Sequence, residues 1–524
     1  MAKRTFRRRA VIAGGIGGGL AVVCGGALGA SLVMSYQDLH RDTVGDLSFE
    51  NPLSIPPLLE GAKASDGSYA WGLDLQTGIT EILPGKTTPT WGANGAFLAP
   101  TLRASRGQTV TANVRNSLPE ATTIHWHGMH LPAAMDGGPH QMVQPGESWS
   151  PTWEIDQPAS TLWYHPHPHG ETFRHVYRGI AGMIILDDDA SRSSGLPSTY
   201  GVDDIPLILQ DKLFKGDGEF KESVSGVNGL IGATSTGLTG DTMLINGTYN
   251  PHFDVTTGLV RLRVLNGSNA RSYALEFSDR RAFHLVAAEN GILPEPLQLD
   301  RLQISPGERA EIVVAFTPGE VVVLRSIEPD LGASFINSRW WGGDDRLDLL
   351  EFRAAETPIP SGDLPPSIAV DAATVAIPQP ADVRVRSLTF RDHNNINKHE
   401  FDMSRIDQVV AAGATEIWEI DGAGTMHTFH IHGASFRVLD IGGDAPPGYA
   451  TGLKDTVYIP PDKKVRVLVR FRDYIDPMTP YMYHCHLLRH EDRGMMGQFV
   501  VVEPGTEDST PTELPHMSGD MGHH

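Results

Sequence analysis

Between residues 83 and 188, apolar and polar side chains alternate in short runs separated by Pro, Gly and Asn. A period of two sends every second side chain to one face of an extended strand, so 108–114, 149–155 and 182–186 are predicted strands with one buried face. The pattern recurs at 205–210, 259–265 and 310–316, and again at 416–420, 436–441, 465–471 and 498–502. A Ser/Pro/Gly/Asp stretch at 191–206 and a Pro-rich stretch at 357–380 divide the strand-rich regions into three. The expected architecture is all-β, three consecutive β-sandwiches at 46–190, 201–365 and 381–503, with a leader at 1–45 and a flexible tail at 504–524. Gly107-Gln108-Thr109-Val110 in the first region and Gly413-Ala414-Thr415-Glu416 in the third open similar runs, each leading to a histidine cluster, which hints at duplication.

Composition agrees with this pattern. A chain of 524 residues has room for about three ordinary domains, and 56 Gly with 37 Pro suit many short strands. The formal charge of −21 argues against binding nucleic acid or an extended anionic membrane surface through the body. The start differs in character. Arg7, Arg8 and Arg9 precede an uncharged Gly/Ala/Val run from Ala10 to Met34, the make-up of an export signal with a twin-arginine cluster, so an exported protein is expected. A cleaved leader leaves Cys485 as the lone thiol, Cys24 being lost with it, and excludes an internal disulfide.

The 22 histidines are unevenly spread. Ten fall in four clusters: His125-Trp126-His127, His165-Pro166-His167-Pro168-His169, His427-Thr428-Phe429-His430-Ile431-His432, and His484-Cys485-His486. In a strand, His-x-His presents two imidazoles to one side, and paired imidazoles from several strands assemble a metal cluster. His484-Cys485-His486 sends a thiolate to one face and two imidazoles to the other, placing two metal sites back to back along a short covalent path. His490 and Met495 follow Cys485 at intervals of five, and His427 lies upstream. Two His, one thiolate and a weak thioether are the ligands of a blue-copper electron-transfer site. Zinc has no use for the methionine, and an iron–sulfur cluster needs more cysteines.

These four motifs, with His490-Glu491-Asp492-Arg493-Gly494-Met495-Met496 closing the last, resemble the copper motifs of multicopper oxidases over about residues 83–502. The nearest likeness is to the bacterial three-domain branch of copper efflux oxidases, spore-coat laccases and bilirubin oxidases. The resemblance implies three cupredoxin-like Greek-key sandwiches and four copper ions. A type 1 copper is held by His427, Cys485, His490 and axially Met495, with Met496 as competitor for the last place. A type 2 copper takes His125 and His430, and two type 3 coppers share His127, His165, His167, His432, His484 and His486. Because these eight come from the first and third regions, the cluster is expected at their interface. The second region, holding only His252 and His284, serves as scaffold or substrate wall. His169 is expected to support the ligands rather than join them, and Thr428 stands where the family often has Pro.

The implied reaction oxidises one-electron donors and reduces dioxygen to water. The resemblance assigns Asp136 and Glu491 as general acids; the plainer reading has Asp136 opening a turn and Glu491 bonding a ligand. The expected donors are phenols or bilirubin-like pigments, with cuprous ion as alternative. No Met lies between Met243 and Met403, where copper efflux oxidases often carry a methionine-rich cover, so an uncovered type 1 site open to aromatic rings is expected. Met426, Met478, Met482 or the Met/His tail could serve cuprous ion instead. Two further readings are a non-catalytic copper-sequestering protein and a copper nitrite reductase.

Overall fold

The computed structural model describes residues 40–223, 236–371 and 375–514. The segment expected to be an export signal and the tail residues His516, Met517, Met521, His523 and His524 lie outside the described residues. Among those described, no helix is long and apolar enough to cross a membrane.

Six sheets pair into three sandwiches. In the first, the strands Tyr69–Thr80 and Thr109–Asn116 run parallel at the centre of one sheet, and Thr101–Ser105 and Gly182–Asp187 pair at the centre of the other. Alternation works as predicted: Val110, Ala112 and Val114 enter the core beside Trp71 and Trp153, while Asn113 and Arg115 face solvent. The predicted strand at 149–155 is split into Ser148–Trp149 and Thr152–Glu154, because Pro151 between them has no N–H for the ladder.

The second sandwich packs a six-stranded sheet on a seven-stranded one. Its strand Leu259–Asn266 is buried almost throughout. Val260, Leu262 and Val264 fill the core, while Arg261 and Arg263 on the other face pair with Glu311, and Arg263 also pairs with Asp204. Glu311 in turn accepts from Thr161 Oγ1 of the first sandwich at 2.6 Å, so the charged face is an interdomain wall. The segment at 191–206 is more structured than a linker. Asp188 caps the short helix Asp189–Ser193, and Asp204–Lys212 is already a strand. Residues 41–53, divided by sequence between leader and first sandwich, dock on the second. Arg41 N donates to Asp345, Gly45 N donates to Asp348, and Asn51–Pro52 pairs with Pro251–Thr257.

The third sandwich joins the sheet containing Thr415–Asp421 and Lys464–Phe471 to the sheet containing His427–Ile431, Asp476–Cys485 and Met496–Val502. It closes on the first through Tyr481 Oη, which donates to Leu131 O at 2.6 Å, and through Asp492, whose carboxylate accepts from Thr172 N and Phe173 N.

Candidate metal centre

Strand register builds the site. His427–Ile431 pairs antiparallel with Asp476–Cys485 so that Phe429 faces Cys485 and His430 faces His484. Directly opposed residues share a face, so His430 and His484 point together to one side and Cys485 to the other. His427, three residues before His430 in the strand, falls on the Cys485 side. On the next strand Met496 lies opposite His484, which puts it on the imidazole side and leaves Met495 to the Cys485 side. Met495 is fully buried in the same apolar cluster as Cys485, and its carbonyl accepts from Cys485 N at 3.1 Å.

Around the cysteine, His427 Nδ1 and His490 Nδ1 each lie 3.5 Å from Sγ. Burial pushes the Cys485 thiol up to about 12, against backbone N–H groups of Thr428 and Leu487 that hydrogen-bond the sulfur. A proline at 428 would lack one of those donors. A thiol so buried ionises only with a cation beside it, and metal binding supplies one.

On the opposite side eight imidazoles converge, all buried. His167 Nε2 and His432 Nε2 lie 3.1 and 3.2 Å from His484 Nε2, and His127 Nδ1 lies 3.3 Å from His165 Nε2. His486 stands with its ring 5.0 Å from His127 and 5.3 Å from His165. His125 and His430 present buried Nε2 atoms with no hydrogen-bond partner. Burial first, then neighbouring rings, hold His127, His165, His432 and His486 well below the ordinary imidazole range; burial brings His167 and His484 to about 3 and His430 to about 4. Neutral rings aiming lone pairs at one another repel unless cations lie between them, so the donor set fits bound metal.

Five of the rings are also held by their far edge. His125 Nδ1 donates to Asp136 O, His432 Nδ1 to Asp136 Oδ2 at 2.7 Å, His430 Nδ1 to Asp455 O, and His165 Nδ1 to Pro166 O. That fixes the tautomer with the Nε2 lone pair facing inward. His127 is reversed: its Nε2 lies 3.0 Å from Asp455 Oδ1 and Thr456 Oγ1, leaving Nδ1 inward. Glu491 lies 3.1 Å from His484 Nδ1 and 3.5 Å from His167 Nδ1, and burial raises its carboxyl above the usual range. Gly137, with φ +80°, makes the turn after Asp136 possible: a Cβ there would meet Ile124 O at 1.7 Å.

Several contributors carry no sequence signal. The second sandwich is more than a wall, because Arg309 grips the Asp455 carboxylate with both Nη atoms at 2.7 and 2.6 Å. Glu289 accepts from Lys454 Nζ, Asp455 N and Thr456 N. Gly307 lies so near His486 that a Cβ would meet the ring at 3.0 Å. His252 has its Nδ1 2.9 Å from Phe49 O, and His284 lies on the strand Phe283–Ala288 of the second sandwich. His169 is exposed against Phe401, with its rings 5.1 Å apart from that residue, so it does not support the ligands directly.

One expectation fails outright. The cysteine site is covered, His427 and His490 both being 0% exposed, so no aromatic molecule touches either ring. Phe390, Leu331 and Trp341 pack in the same apolar cluster as Cys485, and His393 Nδ1 lies 3.1 Å from His490 Nε2. Met426 and Met482 are buried packing residues; Met478 is 52% exposed.

Three family profiles described as multicopper oxidase match residues 74–191, 202–322 and 374–505. A multicopper oxidase of Staphylococcus epidermidis is 33% identical over 475 residues, 89% of this chain and 96% of that protein. The cell division protein FtsP of Escherichia coli is 33% identical over 480 residues, 91% of this chain and 97% of that one. Among solved structures, the laccase-like multi-copper oxidase CueO of the lignin-degrading Ochrobactrum sp. is 37% identical, with a TM-score of 0.76 over 86% of this chain and 100% of that one.

Proposed function

The chain belongs to the multicopper oxidase family, and from that premise we propose that it is an exported, laccase-like enzyme holding four copper ions, which oxidises phenolic one-electron donors and reduces dioxygen to water. Family membership implies copper; it does not by itself imply turnover, since relatives at similar identity are named for cell division. The observation that carries turnover is Cys485 bonded on both sides to residues of the eight-imidazole cluster while its sulfur faces His427 and His490. A storage protein has no need of such a link.

On this reading His427, Cys485, His490 and Met495 hold the type 1 copper and His125 with His430 the type 2. His127, His165 and His486 hold one type 3 copper, and His167, His432 and His484 the other. When bound, copper supplies one-electron acceptance at the cysteine and storage of four electrons for dioxygen at the cluster. The chain supplies the rest. Cys485 joins the two sites through its own backbone neighbours, so no large movement is needed between them. Four donors lose one electron each, and four protons must reach the oxygen. Asp136 contacts His432 and His125, Glu491 contacts His484 and His167, and both acids are suited to pass them from solvent.

Oxygen uptake by one copper-loaded sample given dimethoxyphenol, cuprous ion and bilirubin tests the reading. Phenol-driven uptake is expected; no uptake with any donor would leave a copper carrier. Cuprous ion is the second reading, favoured by the exposed thioethers of Met403 and Met478. It prevails if cuprous ion is strongly preferred.

Asp136→Asn and Glu491→Gln are each expected to keep all coppers and to reoxidise about 10²–10⁴-fold more slowly in stopped flow. Normal reoxidation in both would make these acids purely structural. Met495→Leu is expected to raise the type 1 potential by removing a weak donor to the oxidised ion, with Met496→Leu leaving it unchanged. Redox titration reads the sign, and the reverse result would move the axial role by one residue.

A further inference from the structure

Two buried rings at the cysteine site leave the reductant without direct contact, yet a half-buried imidazole touches one of them. His393 lies with its ring 4.9 Å from that of His490, and its Nδ1 is 3.1 Å from His490 Nε2. With His490 Nδ1 read as the copper ligand beside Cys485 Sγ, the ring hydrogen sits on Nε2 and His393 Nδ1 is the acceptor.

The placement is built in. Strands Arg384–Arg391 and Asn395–Ile396 pair as a hairpin, with Arg391 opposite Asn395, and its turn holds Asp392 and His393 at φ +58° and +66°. Asp and His are among the residue types that tolerate this conformation. The next segment docks on the turn before Met495: Phe401 N donates to Gly494 O at 2.9 Å. Gly494, at φ +95°, has no side chain to hold them apart; a Cβ there would meet Phe401 N at 3.3 Å and Asn394 O at 3.5 Å. The hairpin is therefore fixed against the ligand loop, with His393 between solvent and His490.

We propose that His393 is the donor-contact residue of this enzyme: a phenol docks against its ring, and the electron reaches the cysteine site through the His393–His490 hydrogen bond. The phenol becomes a phenoxyl radical and gives its proton to solvent, while the type 1 copper is the one-electron oxidant. The inference rests on reading the cysteine site as that oxidant.

The test is His393→Leu in the full copper-loaded chain, a substitution that keeps the cover and removes the acceptor. Losing the partner that makes His490 more basic should raise the type 1 potential, read by redox titration of the blue band. A purely electronic role would then speed phenol oxidation through the larger driving force. Contact through His393 predicts the opposite, a fall in kcat/KM for dimethoxyphenol of about tenfold or more, with reoxidation by dioxygen unchanged. His393→Gln, which restores an acceptor, should recover most of the loss. His393→Ala, smaller, free of β-branching at this left-handed position and equally unable to accept, should match leucine and carries the test if leucine is not tolerated. Phenol oxidation unchanged or faster in the apolar variants overturns the proposal. A wild-type chain that is neither blue nor able to take up oxygen overturns the underlying reading instead.

Discussion

Replacing Cys485 by serine removes the blue colour and donor-driven oxygen uptake together, while the protein stays folded. The colour of such a site is charge transfer from a thiolate, and a hydroxyl has no equivalent donor. The packing change is small, since one sulfur becomes one oxygen in a buried position where Sγ faces His427 and His490. His484 and His486 keep their places in the strand, so the imidazole cluster can still load metal even though electrons no longer reach it. Visible absorption, copper content and oxygen uptake on one sample separate these effects. A serine variant that remained blue would end the assignment of the cysteine site. A variant that lost colour but kept full donor oxidation would show that electrons reach the cluster by another path.

Arg309→Met is expected to cost about 3–5 kcal/mol of stability, the usual loss when one partner of a buried ion pair is removed. Arg309 and Asp455 are both 0% exposed. The guanidinium joins all three sandwiches, since it belongs to the second, grips Asp455 of the third, and donates from Nε to Thr161 O of the first at 3.1 Å. Burial alone would raise the Asp455 carboxyl, but Arg309 and the His127 ring hold it well below the usual range. Without Arg309 the carboxylate either stays charged and unpaired or takes a proton, and either way its hold on His127 Nε2 weakens. Denaturant unfolding should show the stability loss, and metal analysis should show weaker copper retention. Adding Asp455→Asn to Arg309→Met should return part of the stability, because the stranded charge is gone. An Arg309→Met protein that unfolds at the wild-type midpoint would mean the pair contributes little.

Much of the site could be read from the chain because its logic is local. The His-x-His spacing, the thiolate between two imidazoles and the period-two alternation all depend on residues two to five positions apart, and strand geometry converts that spacing directly into faces. The sequence by itself therefore determined the all-β class and the two-sided arrangement about Cys485; which imidazoles join the cluster was implied by the resemblance. Asp136 and Glu491 were found through the resemblance, and the structure adds which ring each one touches. Tertiary structure alone decided the rest. That Met496 faces His484 and Met495 the Cys485 side is a matter of cross-strand register, a separate observation from the spacing to Cys485 that favours Met495. The role of the second sandwich turned on Arg309, Glu289 and Gly307, whose partners at Asp455, Lys454 and His486 are more than a hundred positions away and leave no periodic trace. The covering of His427 and His490 was mispredicted because a missing methionine-rich insertion says nothing about what other segments fill the space; a hairpin carrying His393 and the buried Phe390, whose ring lies 5.5 Å from that of His427, stands against them here. Local spacing fixes which side chains share a face, whereas which buried charge finds its partner, and what closes over a site, are set only when distant strands pack.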